Sequence, residues 1–385
     1  MRILISAGEA SGEFYGAQII EALRRKISMD AAASPIEFFG VGGDRMRETG
    51  CELLVDAREI AEVGIVEVVK HIPNIYRRFH EVVREAERRR PNAAVLIDFP
   101  DFNLRLAREL HQRGVPVVYY VSPQLWAWKQ RRIERVREHV SRMLVIFPFE
   151  ENFYRERGIA AEFVGHPLAE LPPPETSREQ LAAEYGLDPQ RHWIALLPGS
   201  RRGEVSRIFP VLLKTAQLLG PEYVYTVPVA STLDPNWIGS FLRDYSGPPI
   251  TLTRDARATL LHARAAAVTS GTSTLEAALI GTPFVMVYAV APLTWKLGRR
   301  LVKVDRFAIV NLIAEKDVVP ELVQTNFTLE RVCAELRRII DDGSARTTML
   351  EDFREVRRRL EPRQDNESAS DRVAQTVLAI AREAT

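Results

Sequence analysis

The stretch Ala265–Tyr288 constrains the fold most strongly, because its pattern predicts a strand, a tight turn, a helix and a second strand. Its first five residues, Ala265–Thr269, are almost wholly apolar, which is typical of a buried strand. A short helix then ends at Gly281, ahead of Pro283 and the apolar strand Phe284–Tyr288. In a parallel sheet such a turn lies at the carboxyl end of its strand, where open α/β sheets bind their ligands.

The turn itself consists of Ser270, Gly271, Thr272 and Ser273. Backbone N–H groups at the start of a helix, together with the hydroxyl groups, form a site for an anion such as a diphosphate. We expect Glu276 in the first helical turn, where it can accept hydrogen bonds from ribose hydroxyls. The alternative is that Thr272 and Ser273 only cap the helix. This stretch alone does not decide between the two.

Composition describes an ordinary globular protein of about two domains, with 385 residues of which 46% are hydrophobic and 27% are charged. The formal net charge of +1 gives no support to nucleic-acid binding. Two cysteines are too few for a disulfide framework or a zinc site, and they favour the reducing cytoplasm.

There is no signal-peptide pattern and no apolar run near the ~20 residues that span a bilayer. We expect a protein that is soluble or lies on a membrane surface.

A glycine-containing turn also follows the first predicted strand, Arg2–Ala7, and leads into a helix predicted from about residue 14 to 26. Such a turn is a candidate anion or sugar site. The candidate residues are Gly8, Glu9, Ser11 and Gly12. The later glycines at 40–43 do not complete a dinucleotide-binding fingerprint, because Arg45 occupies the last glycine position.

An apolar stripe with basic borders runs at helical spacing through Ile60–Val83, and Pro73 is expected to kink or divide the helix. A helix lying in a membrane interface has this pattern. A core-facing helix has it as well, and the pattern alone favours that interpretation. The candidate lipid-contacting residues are Val66, Val68, Val69 and Ile72.

A carboxylate ends the predicted strand Ala93–Asp98. Asp98 is a candidate general base, with a structural carboxylate that binds loop amides as the alternative. Asp101 is expected to cap the following helix. In the second half, Gly199, Ser200 and Arg201 follow another predicted strand and should lie near the Ser-Gly-Thr-Ser turn. Arg201 supplies a fixed charge with forked donors, which suits a phosphate group.

The proline-rich segment Leu171–Glu175 marks the domain boundary, and strands alternate with helices on both sides of it. We predict an α/β fold with two Rossmann-like parallel-sheet domains facing across a cleft. The predicted domains are 1–170 and 171–355. Helices over 356–385 are expected to return to the N-terminal domain.

Eight motifs occur in one order along essentially the whole chain. They are AGEASGE (Ala7–Glu13), EVGIVEVV (Glu62–Val69), IDFPDFN (Ile97–Asn103), YVSPQLWAWKQRR (Tyr120–Arg132), FVGHP (Phe163–Pro167), LLPGSRRGEV (Leu196–Val205), SGTSTLEAAL (Ser270–Leu279) and NLIAEKDVVPELVQ (Asn311–Gln324). In these motifs the chain resembles the lipid-A-disaccharide synthases, which are membrane-associated glycosyltransferases of the GT-B fold. One departure is Phe99, where the family typically has a small residue before Pro100, and it bears on the shape of the acceptor pocket.

The resemblance implies an inverting transfer from UDP-2,3-diacylglucosamine to the 6-hydroxyl of 2,3-diacylglucosamine 1-phosphate. The products are a β-1,6-linked disaccharide 1-phosphate and UDP, in the biosynthesis of lipid A for the lipopolysaccharide of the Gram-negative outer membrane. By the same resemblance residues 1–170 form the acceptor- and membrane-facing domain, residues 171–355 form the UDP-binding domain, and Asp98 is the base. The UDP-binding residues it implies are Arg201, Ser270–Ser273, Glu276, Asn311 and Gln324. With acyl-bearing substrates, lipid contact becomes the better hypothesis for Ile60–Val83.

No metal or other cofactor is expected, because the chain has neither a P-loop nor a D-x-D motif; helix dipoles and Arg201 would then stabilise the leaving diphosphate. The expected partners are the lipid donor, the lipid acceptor, the cytoplasmic surface of the inner membrane and, in a homodimer, a second copy. Two alternatives remain. One is a related enzyme such as a UDP-N-acetylglucosamine 2-epimerase or a murein glycosyltransferase. The other is a non-catalytic membrane-surface protein, which a failure to bind UDP would favour.

Overall fold

The computed structural model describes residues 1–29, 35–61, 68–128, 130–292, 295–296, 305–362 and 367–383. These residues form two compact units, one comprising Met1–Glu170 with Leu360–Thr385 and the other Leu171–Arg359. The boundary expected after residue 355 falls inside a helix that continues to Leu360, so the chain leaves the second unit where that helix ends.

The first unit is built on a seven-stranded parallel sheet with the strand order β3-β2-β1-β4-β5-β6-β7. Its strands are β1 (Arg2–Ala7), β2 (Glu37–Gly42), β3 (Glu52–Asp56), β4 (Ala93–Ile97), β5 (Val117–Tyr120), β6 (Arg142–Val145) and β7 (Ala161–Phe163). Its first eight helices are α1 (Ala10–Ser28), α2 (Asp44–Glu48), α3 (Arg58–Ala61), α4 (Val68–Arg89), α5 (Pro100–Gln112), α6 (Ile133–His139), α7 (Pro148–Arg155) and α8 (Pro167–Glu170).

The second unit contains a six-stranded parallel sheet with the order β10-β9-β8-β11-β12-β13. Its strands are β8 (Trp193–Leu197), β9 (Val224–Pro228), β10 (Ile250–Thr253), β11 (Ala265–Thr269), β12 (Phe284–Tyr288) and β13 (Glu321–Val323). Its helices include α9 (Arg178–Tyr185), α10 (Arg202–Leu219), α11 (Pro235–Ser240), α12 (Ala256–His262), α13 (Thr272–Ile280), α14 (Ile309–Ala314), α15 (Leu329–Ile340) and α16 (Ser344–Leu360). The final helix, α17 (Ala369–Glu383), belongs to the first unit.

The central strands β4, β8 and β11 are buried at every residue. Strands of a parallel sheet that helices cover on both faces are apolar throughout, which explains their sequences. Helix α17 packs against α1, where Arg25 forms an ion pair of 2.7 Å with Asp371. The Glu170 carboxylate accepts a 2.5 Å hydrogen bond from the Ala369 N–H at the start of α17.

Strand order reverses at one place in each sheet, between β1 and β4 in the first unit and between β8 and β11 in the second. Ligands of open α/β sheets bind at the carboxyl ends of the strands that flank such a reversal. Topology therefore selects one position in each unit. The residues that follow β1 and β4 occupy the first position, and those that follow β8 and β11 occupy the second.

Two sequence-based expectations need correction or fall outside the description. Helix α1 begins at Ala10, so Ser11 and Gly12 lie in its first turn and not in a loop. Val66 lies outside the described residues, as do the side chains of Val68, Val69 and Ile72. Helix α4 continues through Pro73. None of the described helices is both long and apolar enough to cross a bilayer.

Candidate active site

Of the six non-glycine residues with positive φ in the described part of the chain, three lie at the carboxyl ends of β4 and β5. Asp98 and Phe99 have φ angles of 46° and 49°, and Val121, just after β5, has a φ of 60°. Residues other than glycine rarely adopt this left-handed conformation, and those that do cluster at functional sites. The strain therefore marks the same sheet edge that topology selects.

A buried polar network holds this strained turn. The Asn103 amide donates hydrogen bonds to the backbone oxygens of Ile97 (3.1 Å) and Asp98 (2.9 Å), and its own oxygen accepts a 2.7 Å bond from Ser6. The Tyr119 hydroxyl donates a 2.6 Å bond to the same Asp98 oxygen. Sequence reasoning missed both residues. The available signal was the asparagine at the end of the IDFPDFN motif, Asn103, which the structure buries completely.

Asp98 is half-buried, and its pKa is raised from 3.8 to about 6. Burial is the main cause and the nearby Glu9 carboxylate adds to it, whereas a hydrogen bond from the Phe99 N–H acts in the opposite direction. At neutral pH the group is ionised but more basic than an ordinary aspartate. These are the properties of a general base.

Gly8 and Phe99 fit each other closely. A Cβ atom on Gly8 would stand 2.2 Å from the Phe99 ring, so this position tolerates only glycine while the ring lies there. Phe99 also stacks on Phe102, with ring centroids 5.6 Å apart. The departure at Phe99 is thus accommodated in this chain by the glycine at the end of the neighbouring strand.

The sequence suggested that Asp101 caps α5, but this prediction is wrong. The N-cap position belongs to Phe99, and Pro100 occupies the first helical position. Asp101 is mostly exposed and forms an ion pair with Arg132. The cause is the left-handed turn at residues 98–99, which starts the helix two residues earlier than the capping pattern implies.

The second position brings together the turns after β8 and β11. Strands β8 and β11 are neighbours, and a Cβ atom placed on Gly199 would lie 3.5 Å from Cγ2 of Thr269 at the end of β11, so the two turns begin close together. The helix α13 and the strands on either side of it have the predicted bounds. Gly271 is the N-cap of α13 with a φ of 138°, a conformation that side chains other than hydrogen rarely permit.

The helices that begin here lack side-chain caps, unlike four other helices of the same unit. In the same unit α9, α11, α12 and α15 are each capped by a side-chain oxygen. Neither α10 nor α13 has such a cap, so Thr272 and Ser273 do not serve as caps. The first N–H groups of a helix need an acceptor, and an anion can supply it.

Polar groups beside these helix ends are available for a ligand. The Arg201 side chain is 81% exposed, and its guanidinium group lies 3.1 Å from the Glu204 carboxylate. The buried Thr269 hydroxyl has no hydrogen-bond partner among the described residues. Ser200 is exposed, and the Ser270 hydroxyl makes only a long 3.3 Å bond to the Phe307 carbonyl.

Glu276 is the fifth residue of α13, so it lies in the second turn and not in the first. Burial raises its pKa, an effect that the Arg257 charge partly offsets. Within the described part of the chain, no hydrogen bond or ion pair to its carboxylate is found.

Asn311 and Gln324 are engaged within the protein. The fully buried Asn311 amide donates to Val319 and Glu321 at 2.9 Å each, and its oxygen accepts from two backbone N–H groups. The Gln324 side chain accepts a 2.7 Å hydrogen bond from the Val290 N–H and donates a 3.0 Å bond to the Val290 carbonyl. Every hydrogen-bonding group of the Asn311 side chain is thus engaged within the protein, which argues against its direct contact with UDP. Within the described ranges no three His, Cys, Asp or Glu side chains converge as metal ligands.

Comparison with solved structures identifies the architecture. MurG from Acinetobacter baumannii matches with a TM-score of 0.58 at 13% identity, covering 98% of this chain and 99% of that one. A calicheamicin glycosyltransferase matches with a TM-score of 0.58 at 16% identity, covering 98% of each chain. At these identities the likeness shows the fold alone. The predicted fold class, two parallel-sheet domains of the GT-B type, is confirmed.

Comparison with sequences identifies the family. A model of the lipid-A-disaccharide synthetase family matches residues 3–376. The lipid-A-disaccharide synthase of Koribacter versatilis is 56% identical over 383 residues and 99% of each chain. That of Acidobacterium capsulatum is 48% identical over 371 residues, covering 93% of this chain and 91% of the relative. These matches favour the synthase over the epimerase and the murein glycosyltransferase. The chain belongs to the lipid-A-disaccharide synthase family.

Proposed function

We propose that this protein is an inverting hexosyltransferase that joins UDP-2,3-diacylglucosamine to 2,3-diacylglucosamine 1-phosphate. The products are the β-1,6-linked lipid A disaccharide 1-phosphate and UDP. The observation that carries the proposal is the kind of group found at the strand reversal of each unit. A basic carboxylate, Asp98, lies at the strand reversal of one unit, and uncapped helix ends lie at that of the other.

In the first unit Asp98 accepts the proton of the acceptor's 6-hydroxyl as that oxygen attacks the anomeric carbon. Attack from the face opposite UDP inverts the configuration and gives the β linkage. The raised pKa of about 6 supports this role, because it makes Asp98 a stronger base that is still ionised near neutral pH. Glu9, which raises that pKa, acts through Asp98.

In the second unit the N-termini of α10 and α13 bind the diphosphate, and Arg201 leaves Glu204 to pair with it. Fixed N–H dipoles and a guanidinium group stabilise the charge that develops on departing UDP. The Glu276 carboxylate, which has no partner among the described residues, accepts hydrogen bonds from the ribose hydroxyls. Asn311 and Gln324 act on this site indirectly. Asn311 holds Glu321, and Gln324 holds the segment that follows β12. No metal ion is required by this scheme.

We further propose that the protein works at the cytoplasmic surface of the inner membrane through residues 60–83, with a homodimer as its assembly. The support is the apolar stripe with basic borders and the acylated substrates. Replacing Val66, Val68 and Val69 together by serine should reduce liposome association while UDP affinity stays the same. If the variant unfolds, these side chains belong to the core and the membrane proposal fails for them.

Mass spectrometry after incubation with both lipids tests the reaction. The expected result is one disaccharide 1-phosphate for each UDP released, and no product when either lipid is omitted. Release of UDP from the donor alone, with free diacylglucosamine as the other product, would instead assign the protein a hydrolase activity and contradict the proposal.

A further inference from the structure

A groove of about 1200 Å³ lies on the first unit along helices α4, α5 and α6. Its apolar lining includes Ile60, Ile75, Phe79, Phe99 and Phe102. At 1.5 Å per residue, the stretch of α5 from Phe99 to Gln112 that borders the groove is about 20 Å long. The mechanism proposed above gives this groove no role.

Aromatic rings connect the groove to the candidate base. Phe99 directly follows Asp98 and stacks on Phe102, with ring centroids 5.6 Å apart. Phe102 in turn meets Phe79 of α4 edge to face at 5.4 Å. These three rings form a continuous apolar floor, which begins beside the carboxylate that receives the acceptor hydroxyl and ends at α4.

Unpaired cations line the same groove. Arg105, Arg108 and Arg135 make no ion pair or hydrogen bond within the described ranges. Two acidic residues of the groove are already paired, Asp101 with Arg132 and Glu109 with Arg113, and the Glu138 carboxylate lies 3.6 Å from the His139 ring. A groove that is both apolar and cationic complements a ligand that has an acyl chain and a negative charge.

We infer that this groove is the acceptor subsite for one acyl chain, which lies on the floor formed by Phe79, Phe99 and Phe102. The inference rests on the proposed function. The acceptor carries both acyl chains and a phosphate, so it matches the apolar floor and the free guanidinium groups together. The donor's charged diphosphate is assigned to the second unit, which leaves this groove to the acceptor.

Specificity for the acyl chain follows from this placement. Each methylene group buried against an apolar floor strengthens binding by about fourfold. A long-chain acceptor should therefore react with a higher kcat/KM than a short-chain acceptor. Removing part of the floor should diminish that preference without changing how UDP binds.

The test is the Phe79→Ala variant, assayed with a long-chain and a short-chain acceptor at saturating donor. Its kcat/KM should fall about 10-fold for the long-chain acceptor and little for the short-chain acceptor. Phe79→Leu removes less contact, should show a smaller effect in the same direction and serves if the alanine variant fails to fold. Phe153→Ala is the matched control, because Phe153 also packs on the first unit's core but lies outside the groove. It should affect both acceptors equally.

Two results would overturn the inference. Equal losses for both acceptors in Phe79→Ala would show that Phe79 does not contact the chain. Equal losses together with weaker binding to vesicles of anionic phospholipid would assign the groove to the membrane instead. Absence of any disaccharide from the unmodified protein is a separate outcome, since it refutes the proposed function.

Discussion

Replacing Asp98 by asparagine should stabilise the folded protein near neutral pH and have little effect on stability below about pH 4. The folded protein keeps the Asp98 proton up to about pH 6, whereas the unfolded chain releases it near 3.8. Between these pH values only the unfolded state ionises freely, so rising pH favours unfolding of the unmodified protein. Above about pH 6 Asp98 is ionised in both states, so the stability that the unmodified protein has lost no longer changes with pH.

The raised pKa sets the size of the effect. A pKa that moves from 3.8 to about 6 corresponds to at most about 3 kcal/mol, at about 1.4 kcal/mol for each pH unit. Asp98 is half-buried, and solvent screening reduces this to about 1–2 kcal/mol. The asparagine amide oxygen can still accept the Phe99 N–H, so the turn keeps its hydrogen bond.

Urea unfolding of both proteins at about pH 4 and about pH 7.5 measures this difference. Asp56→Asn is an informative control, since Asp56 ends β3 of the same sheet but its pKa is lowered, mainly by a hydrogen bond from Arg58. That pairing stabilises the protein above the unfolded pKa and is lost at acidic pH, so Asp56→Asn should destabilise at neutral pH. If Asp98→Asn lowers stability at neutral pH as well, the raised pKa is refuted.

Three further predictions address the neighbouring residues. Glu9→Gln should lower the pKa of Asp98 and move the acidic limb of the pH–rate profile to lower pH; an unchanged limb would contradict the coupling. Arg201→Ala should weaken UDP binding, measured calorimetrically in excess EDTA, by ~1.5–3 kcal/mol, and loss of the unmodified protein's binding on chelation would refute the metal-free scheme. Asn311→Ala should cost about 2–3 kcal/mol in urea unfolding, because it leaves two buried N–H groups unpaired and removes one donor to Glu321, with little change in UDP affinity. A selective loss of UDP affinity would restore Asn311 as a ligand.

The elements around the second site were predictable because each signal was local. An apolar five-residue run, a glycine at its end and a second glycine at 281 give β11 and α13 their observed bounds. The C-cap Gly281 adopts the left-handed conformation, as helix-ending glycines commonly do. No tertiary contact is needed to reach this result.

The first site was less predictable, because tertiary contacts decide its geometry. Helix α1 starts before Gly12, although glycine disfavours helix, since that turn packs against the ends of β1 and β4. The left-handed turn at Asp98 depends on a distant tyrosine, Tyr119, and on Asn103. Likewise the sequence places Asn311 in the motif NLIAEKDVVPELVQ but cannot show that its amide is fully hydrogen-bonded within the protein.

The rate of disaccharide formation by Asp98→Asn, with both lipids saturating, tests the central claim most directly. A positioned base contributes ~10²–10⁴-fold to rate, so turnover should fall by about that factor while UDP affinity is unchanged. Asp56→Asn, at the end of β3, should turn over nearly as fast as the unmodified protein. Normal turnover by Asp98→Asn would contradict the account, because the base would then lie elsewhere.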